Sequence, residues 1–209
     1  LFTGIIREIG SLKSVKRFSW GVTFNVEAPM IAAKTCSGDS ICINGVCQTA
    51  ESAGKKNLEF TAVNETLKKS TLGRMAAGCM LNLESALTPQ STLDGHFVQG
   101  HVDGVGRIIA FTGSPQNRIL KVKVPPDVYD LTVYKGSIAI DGVSLTVASK
   151  KSALAVEVAV IPHTYENTIM KYYRTGGEVN IETDIIGKYV QSYLRKDPGS
   201  AGVRFRREE

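Results

Sequence analysis

Four side chains in this sequence are candidates for chemistry: Cys47, His101, Ser144 and His163. Their positions gain meaning because the chain repeats itself. Asp39 to Thr49, Asp-Ser-Ile-Cys-Ile-Asn-Gly-Val-Cys-Gln-Thr, returns as Gly136 to Thr146, Gly-Ser-Ile-Ala-Ile-Asp-Gly-Val-Ser-Leu-Thr, and Ser40 falls on Ser137 after a shift of 97 positions. In this alignment Cys47 falls on Ser144; in the neighbouring stretches, whose shift differs by one, Glu65 falls on His163, Ile5 on His101 and Phe2 on Val98. The scaffold residues repeat while the reactive ones differ. Two similar pockets with unlike roles would need that asymmetry. His101 has the side chain whose unperturbed pKa best suits proton transfer near neutrality; the alternative is a histidine capping a strand. Cys47 offers a thiolate or a polarisable neighbour, and the alternative is an inert core cysteine.

The elements that would position these residues are short strands. Each copy of the motif alternates apolar and small residues around Asn44-Gly45 or Asp141-Gly142, dipeptides that populate the positive-φ turn of a two-residue β-hairpin. Leu1 to Leu12 and Phe97 to Ile108 read as opening strands, with Gly4 on Gly100 and Gly10 on Gly106; glycines inside a strand point to a curved sheet. Val22 to Val26 and Leu120 to Val124 follow as strands stopped by Pro29 and Pro125, each before a short helical segment. Leu58 to Val63 and Leu154 to Val160 run into short polar helices, and Met80 to Glu84 and Glu178 to Glu182 close each copy.

About six antiparallel strands per copy, with few helices to cover an open sheet, predict an all-β chain of two similar six-stranded barrels, since closure removes exposed edges. The expected domains are residues 1–94 and 95–186, joined through Leu87 to Asp94. Ile185, Ile186, Tyr189, Val190, Tyr193 and Leu194 fall at helical spacing, so 187–197 reads as a C-terminal amphipathic α-helix whose apolar stripe has no counterpart in the first copy. The glycine, serine and charged residues of 198–209 read as disordered.

The totals exclude several classes. Of a net charge of +5, a surplus of two sits in the last fifteen residues, and the rest forms no basic stripe, which speaks against nucleic acid. All four cysteines lie in the first copy without a Cys-x-x-Cys pair or a histidine at metal-ligand spacing, so no metal is expected. No apolar run approaches the roughly 20 residues that cross a bilayer, and the first residues lack the sections of a signal peptide. A cytoplasmic location away from membranes is expected.

Phe-Thr-Gly-Ile at 2–5, Asn-Gly-Val-Cys at 44–47, Gly-His-Phe-Val-Gln-Gly-His-Val-Asp at 95–103, Asp-Gly-Val-Ser-Leu-Thr at 141–146 and Val-Asn-Ile-Glu at 179–182 together resemble riboflavin synthase of the alpha-chain type. The resemblance implies two six-stranded Greek-key barrels and a homotrimer held partly by the C-terminal helix, with lumazine synthase as a further candidate partner. It implies a transferase that needs no cofactor or metal. Two molecules of 6,7-dimethyl-8-ribityllumazine dismutate by transfer of a four-carbon unit, giving riboflavin and 5-amino-6-ribitylamino-uracil, with one substrate on each of two barrels from neighbouring subunits. The alternative is a non-catalytic lumazine- or flavin-binding antenna, a class that tends to lack the cysteine and histidine found here as Cys47 and His101.

Two alike pockets suit two copies of one heterocycle, and holding both rings in attack geometry is worth up to about 7 to 11 kcal/mol. A flat polar ring is best held by backbone groups at strand ends. In the first barrel these would be Gly4, Ile5 and Ile6, then Cys47, Gln48 and Thr49, then Thr61, Ala62, Val63, Asn64, Glu65 and Thr66. In the second they would be Gly100, His101 and Val102, then Lys135, then Ser144, Leu145 and Thr146, then Ala159, Val160, Ile161, Pro162, His163 and Thr164. The resemblance favours Cys47 as a residue of the site beside His101. Ser40, Thr49, Ser144 and Thr146 are candidates either for orienting ring or ribityl oxygens or for strand-edge hydroxyls that satisfy backbone; Phe2 either covers a bound ring or is core; and Asp184, where the family tends to carry an acid, either aids proton transfer or is a solvated strand-end carboxylate. Three residues depart from the family pattern: Gln48 stands for a leucine, Asn64 for a proline, and Leu1 where an initiator Met is expected, which implies an altered or renumbered start.

Overall fold

The two Gly-containing turns set the architecture. Asn44 and Gly45 have φ of 47° and 78°, Asp141 and Gly142 44° and 77°, and each pair closes a tight hairpin in the register Ile43 to Val46 or Ile140 to Val143. The computed structural model describes residues 1–195. The expected tail at 198–209 and residues 196–197 of the expected helix lie outside them.

The first copy contains β1 (Glu8–Arg17), β2 (Gly21–Glu27), α1 (Pro29–Ala32), β3 (Ser40–Ile43), β4 (Val46–Thr49), β5 (Ser52–Ala53), β6 (Asn57–Val63), α2 (Asn64–Lys69), a 3-10 turn at Thr71–Arg74 and β7 (Met80–Ser85). The second contains β8 (Gly104–Ser114), β9 (Asn117–Lys123), α3 (Pro126–Leu131), β10 (Ser137–Ile140), β11 (Val143–Lys151), β12 (Ala155–Val160), α4 (Pro162–Glu166), a 3-10 turn at Ile169–Tyr172 and β13 (Glu178–Thr183), followed by α5 (Ile185–Arg195). No helix among the described residues is long and apolar enough to cross a membrane.

The second copy is a closed six-stranded barrel in the order β10-β11-β12-β9-β8-β13, with β9 returning beside β12 as a Greek key requires. The first copy keeps this order but departs from the expected six closed strands. It is a curled sheet of seven, β4-β3-β7-β1-β2-β6-β5. The difference lies where the strand crosses from one neighbour to the next. In the second barrel β11 runs unbroken past a register shift between Val147 and Ser149, passing from β10 to β12. In the first, the strand stops between Thr49 and Ser52, leaving β4 on β3 and β5 on β6, although the Ala50 N–H donates to the Asp39 carbonyl just as the Val147 N–H donates to the Gly136 carbonyl in the second.

Alternation along the strands fills two separate cores. Phe24 and Phe60, stacked at 5.1 Å, anchor the first with Leu58, Leu81 and Leu83; Leu120, Val122, Ile138, Met170 and Ile181 anchor the second. Each such side chain contributes roughly 1.5–3 kcal/mol when buried. A third cluster lies between the barrels and contains Phe2, Cys42, Val98 and Ala139.

Asparagines seal the same seam. Asn82 Nδ2 donates to the Asp141 carbonyl at 2.9 Å and Asn180 Nδ2 to the Asn44 carbonyl at 2.8 Å, so each last strand holds the other copy's hairpin turn. Their Oδ1 atoms accept the N–H groups of Ile169 and Thr71, again across the copies. A buried amide with both ends satisfied fixes the approach of the two barrels.

The opening stretches differ from expectation. Regular strands start only at Glu8 and Gly104. Before them, residues 2–6 and 98–102 leave their own sheets and touch along the bridge of Phe2 with Val98, while Arg7 and Asp103 still donate to Leu83 and Ile181 of their own sheets.

Candidate active site

The crossing of those two stretches builds the site. The Gly100 carbonyl accepts the Cys47 N–H at 2.8 Å, and the Gly4 carbonyl accepts the Ser144 N–H at 2.8 Å. A Cβ on Gly100 would lie 2.6 Å from the Cys47 Cβ, and one on Gly4 2.6 Å from the Ser144 Cβ, and both glycines have positive φ near 80°. No other residue type allows that approach. Ile6 accordingly packs on the second core and Val102 on the first. The expected grouping is therefore corrected: Gly4, Ile5 and Ile6 belong with Ser144, and Gly100, His101 and Val102 belong with Cys47.

A cavity of about 230 Å³ results beside the first barrel, lined by Cys47, Glu65, Thr66, Gly100, His101 and Val102, with Val46, Lys69 and Ser70 completing the wall. His101 is exposed and Cys47 half-buried, so both can meet a ligand in this cavity. Glu65 pairs with Lys69 at 2.9 Å, and the ammonium beside it holds its carboxyl below the usual range. The other interior thiol of this copy, Cys42, is pushed well up by burial and by the nearby Glu84 and Glu182, which keeps it protonated and inert.

Around this cavity the other expected residues divide. Ala62 is core, while Val63, which ends β6, and Asn64, which starts α2, are at the surface. Asn64 explains its own departure: its N–H donates to the Trp20 carbonyl and its amide to the Ser19 carbonyl, fastening the β1–β2 turn, which a proline could not do. Gln48 points inward and its amide donates to the Cys47 carbonyl at 2.7 Å. Thr61 is engaged with Thr23 and Glu51, and Ser40 lies opposite Thr49 in the β3–β4 ladder. Phe2 is fully buried in the seam, so it is packing between the barrels and not a cover over a bound ring.

Beside the second barrel the sequence reading missed one residue. His96 Nδ1 lies 2.7 Å from Ser144 Oγ, while its Nε2 is buried and finds no partner among the described residues. Burial pushes the imidazole below its ordinary pKa, against the pull of Asp184, so it is neutral at neutral pH. Asp184 itself caps α5, with Oδ1 accepting the Ile186 N–H at 3.0 Å. Thr146, Ala159, Ile161, Pro162 and His163 are exposed near the ends of β11 and β12, Thr164 is half-buried, and Leu145 and Val160 are core. Lys135 is exposed with φ of 64°, and its N–H donates to the Val147 carbonyl.

The lumazine binding domain family matches this chain twice, at residues 3–86 and 99–184. Over 199 residues the chain is 38% identical to the riboflavin synthase of Mycobacterium tuberculosis, covering 93% of this chain and 98% of that protein. The chain belongs to the riboflavin synthase family. The synthase is also 36% identical to the riboflavin synthase of Bacillus subtilis, covering 94% of this chain and 91% of that protein. It is 34% identical to that of Actinobacillus pleuropneumoniae, covering 95% of this chain and 92% of that protein. Among solved structures, LumP complexed with riboflavin superposes with a TM-score of 0.81 and LumP complexed with 6,7-dimethyl-8-(1'-D-ribityl) lumazine with 0.79, each at 21% identity over 88% of this chain and 99% of the other. At that identity the likeness concerns the fold, and the enzyme assignment of the synthase rests on its full-length relatives.

Proposed function

We propose that this synthase dismutates two molecules of 6,7-dimethyl-8-ribityllumazine, one at the Cys47–His101 site and one at the Ser144–His96 site, to give riboflavin and 5-amino-6-ribitylamino-uracil. The observation that carries this reading is the pair of composite sites, alike in backbone and unlike in side chains: one joins a thiol to an exposed histidine, the other a hydroxyl to a buried one. The atoms of the two products sum to those of two substrates, so the reaction consumes no oxidant or reductant. The need is for proton transfer and alignment. The C7 methyl of one substrate must lose a proton, and an imidazole that reaches the cavity is the group suited to take it. Neutral His96, hydrogen-bonded to Ser144, can exchange a proton with the second ring through that hydroxyl. LumP, which shares this fold, forms complexes with 6,7-dimethyl-8-(1'-D-ribityl) lumazine and with riboflavin, which supports ligands of this class.

The proposal includes a homotrimer in which substrates on the first barrel of one subunit and the second barrel of another meet. The exposed apolar stripe of α5 supports it: Ile186, Tyr189, Val190, Tyr193 and Leu194 are all more than half exposed. The sequence expectations of a cytoplasmic enzyme, of lumazine synthase as partner and of domains at 1–94 and 95–186 belong to the same proposal. Purified protein mixed with 6,7-dimethyl-8-ribityllumazine alone should form riboflavin and the ribitylamino-uracil in equal amounts, followed by absorbance and chromatography. Saturable binding without turnover would sink the proposal in favour of an antenna.

A further inference from the structure

The last strand of each copy carries Asn-x-Glu, as Asn82-Leu83-Glu84 and Asn180-Ile181-Glu182, and the chemistry above uses neither glutamate. Both carboxylates are inside the protein, 3% and 2% exposed, and neither has an ion-pair partner among the described residues. Each instead gathers N–H groups from a stretch that belongs to no strand. Glu182 Oε1 accepts the Gln99 N–H at 2.7 Å, and its Oε2 accepts those of Gly100 at 2.9 Å and His101 at 3.0 Å. Glu84 Oε1 accepts the Thr3 N–H at 2.7 Å and the Thr3 hydroxyl at 2.6 Å, and its Oε2 accepts the Gly4 N–H at 3.0 Å.

A buried carboxylate is tolerable only while its oxygens are hydrogen-bonded, and N–H donors outside a sheet need acceptors. Charge and stretch therefore lock each other. Neither can move without leaving the other unsatisfied. The stretch held by Glu182 then gives the Gly100 carbonyl to Cys47 and carries His101 into the first site, and that held by Glu84 gives the Gly4 carbonyl to Ser144.

We infer that Glu182 and Glu84 are positioning residues that act crosswise: the glutamate of the second copy sets the Cys47–His101 site of the first, and the glutamate of the first copy sets the Ser144 site of the second. The consequence for turnover rests on the two-site reading above; the positioning does not. Pairing each carboxylate with its own copy's opening stretch explains why the two stretches leave their sheets at all, since the anchor for each lies at the seam.

The test needs no substrate. In the unliganded wild type the amides of Thr3, Gly4, Gln99, Gly100 and His101 should exchange as slowly as strand amides; free exchange would overturn the inference without any variant. Next, Cys47 alkylation by iodoacetamide is followed by peptide mass spectrometry in Glu182→Gln and Glu84→Gln. An amide can accept on one side only, so a held N–H is lost and about tenfold faster alkylation is expected in Glu182→Gln. In Glu84→Gln, whose residue lies in Cys47's own copy, the rate should stay within about twofold. Equal acceleration in both, or acceleration in Glu84→Gln alone, would overturn the crosswise assignment and mark the glutamates as general supports. With lumazine present, Glu182→Gln should lower kcat more than it raises KM. A wild type that alkylates as expected yet forms no riboflavin would defeat the two-site reading and leave the positioning standing.

Discussion

His101 and Cys47 reach one cavity from different copies, a meeting that neither residue's local sequence states. Exposed on its stretch, His101 can approach a ligand without strain elsewhere, so its removal should harm the chemistry and spare the binding. We expect His101→Ala to lower kcat by roughly a hundredfold or more, the usual worth of a positioned base, with KM changed only a few-fold. Steady-state turnover decides it, and unchanged kcat removes His101 from proton transfer. Cys47, His101 and Ser144 were legible in the sequence because the copies differ there. His96 was not, because its aligned position falls before Leu1 and comparison of the copies passes over it. Phe2 misled for another reason: whether an aromatic covers a ligand or fills a seam depends on contacts with Cys42, Val98 and Ala139 that only the assembled barrels create.

The two hairpins, the short helices, α5 and most strands follow from alternation, Asn-Gly or Asp-Gly turns and helical spacing, all local properties; the opening strands, which start only at Glu8 and Gly104, and the split of β4 from β5 do not. The exchange of the opening stretches could not be read that way, since Gly4 and Gly100 sit in similar surroundings and nothing local says which barrel each will join. The break between β4 and β5 is equally absent from the local pattern, since Ala50 makes the same backbone bond as Val147 in the unbroken β11. The hairpin turns themselves differ in one testable respect. Asn44 is neutral, whereas Asp141 is buried at the seam, with Oδ2 accepting the Tyr173 hydroxyl at 2.6 Å and Oδ1 the Asn180 N–H at 2.8 Å. Burial pushes Asp141 from 3.8 up to about 7, outweighing those hydrogen bonds. A carboxyl raised on folding binds its proton more tightly in the folded state, so its contribution is complete below about pH 4 and is lost as pH rises through about 7, to a total of up to about 4 kcal/mol. Asp141→Asn, which keeps the turn chemistry of Asn44, should flatten the stability profile between pH 4 and 8 and raise stability at pH 8. Denaturant melts across that range measure it, and an unchanged slope would acquit Asp141.

At the scale of the whole molecule, the feature with no counterpart in the duplication is α5. Its inner side is satisfied: Lys188 pairs with Asp103 at 2.7 Å, Asp103 accepts from Thr183, and Asp184 caps the first turn. Its outer side is not, since Tyr189 at 72% and Leu194 at 69% exposure form a stripe with Val190 and Tyr193 that a free monomer would leave in water. In the proposed homotrimer that stripe has a purpose: association would bring unlike sites of two subunits together, and alignment would supply the rate. Substituting Val190→Glu and Tyr193→Glu leaves Lys188, Asp103 and Asp184 untouched and should therefore preserve the barrels while separating the subunits. The expected outcome is a folded monomer, seen by light scattering and circular dichroism, that still binds lumazine but forms riboflavin at least about tenfold more slowly. A monomer of full activity would mean that one chain completes the reaction by itself, and an intact oligomer would mean that α5 does not hold it.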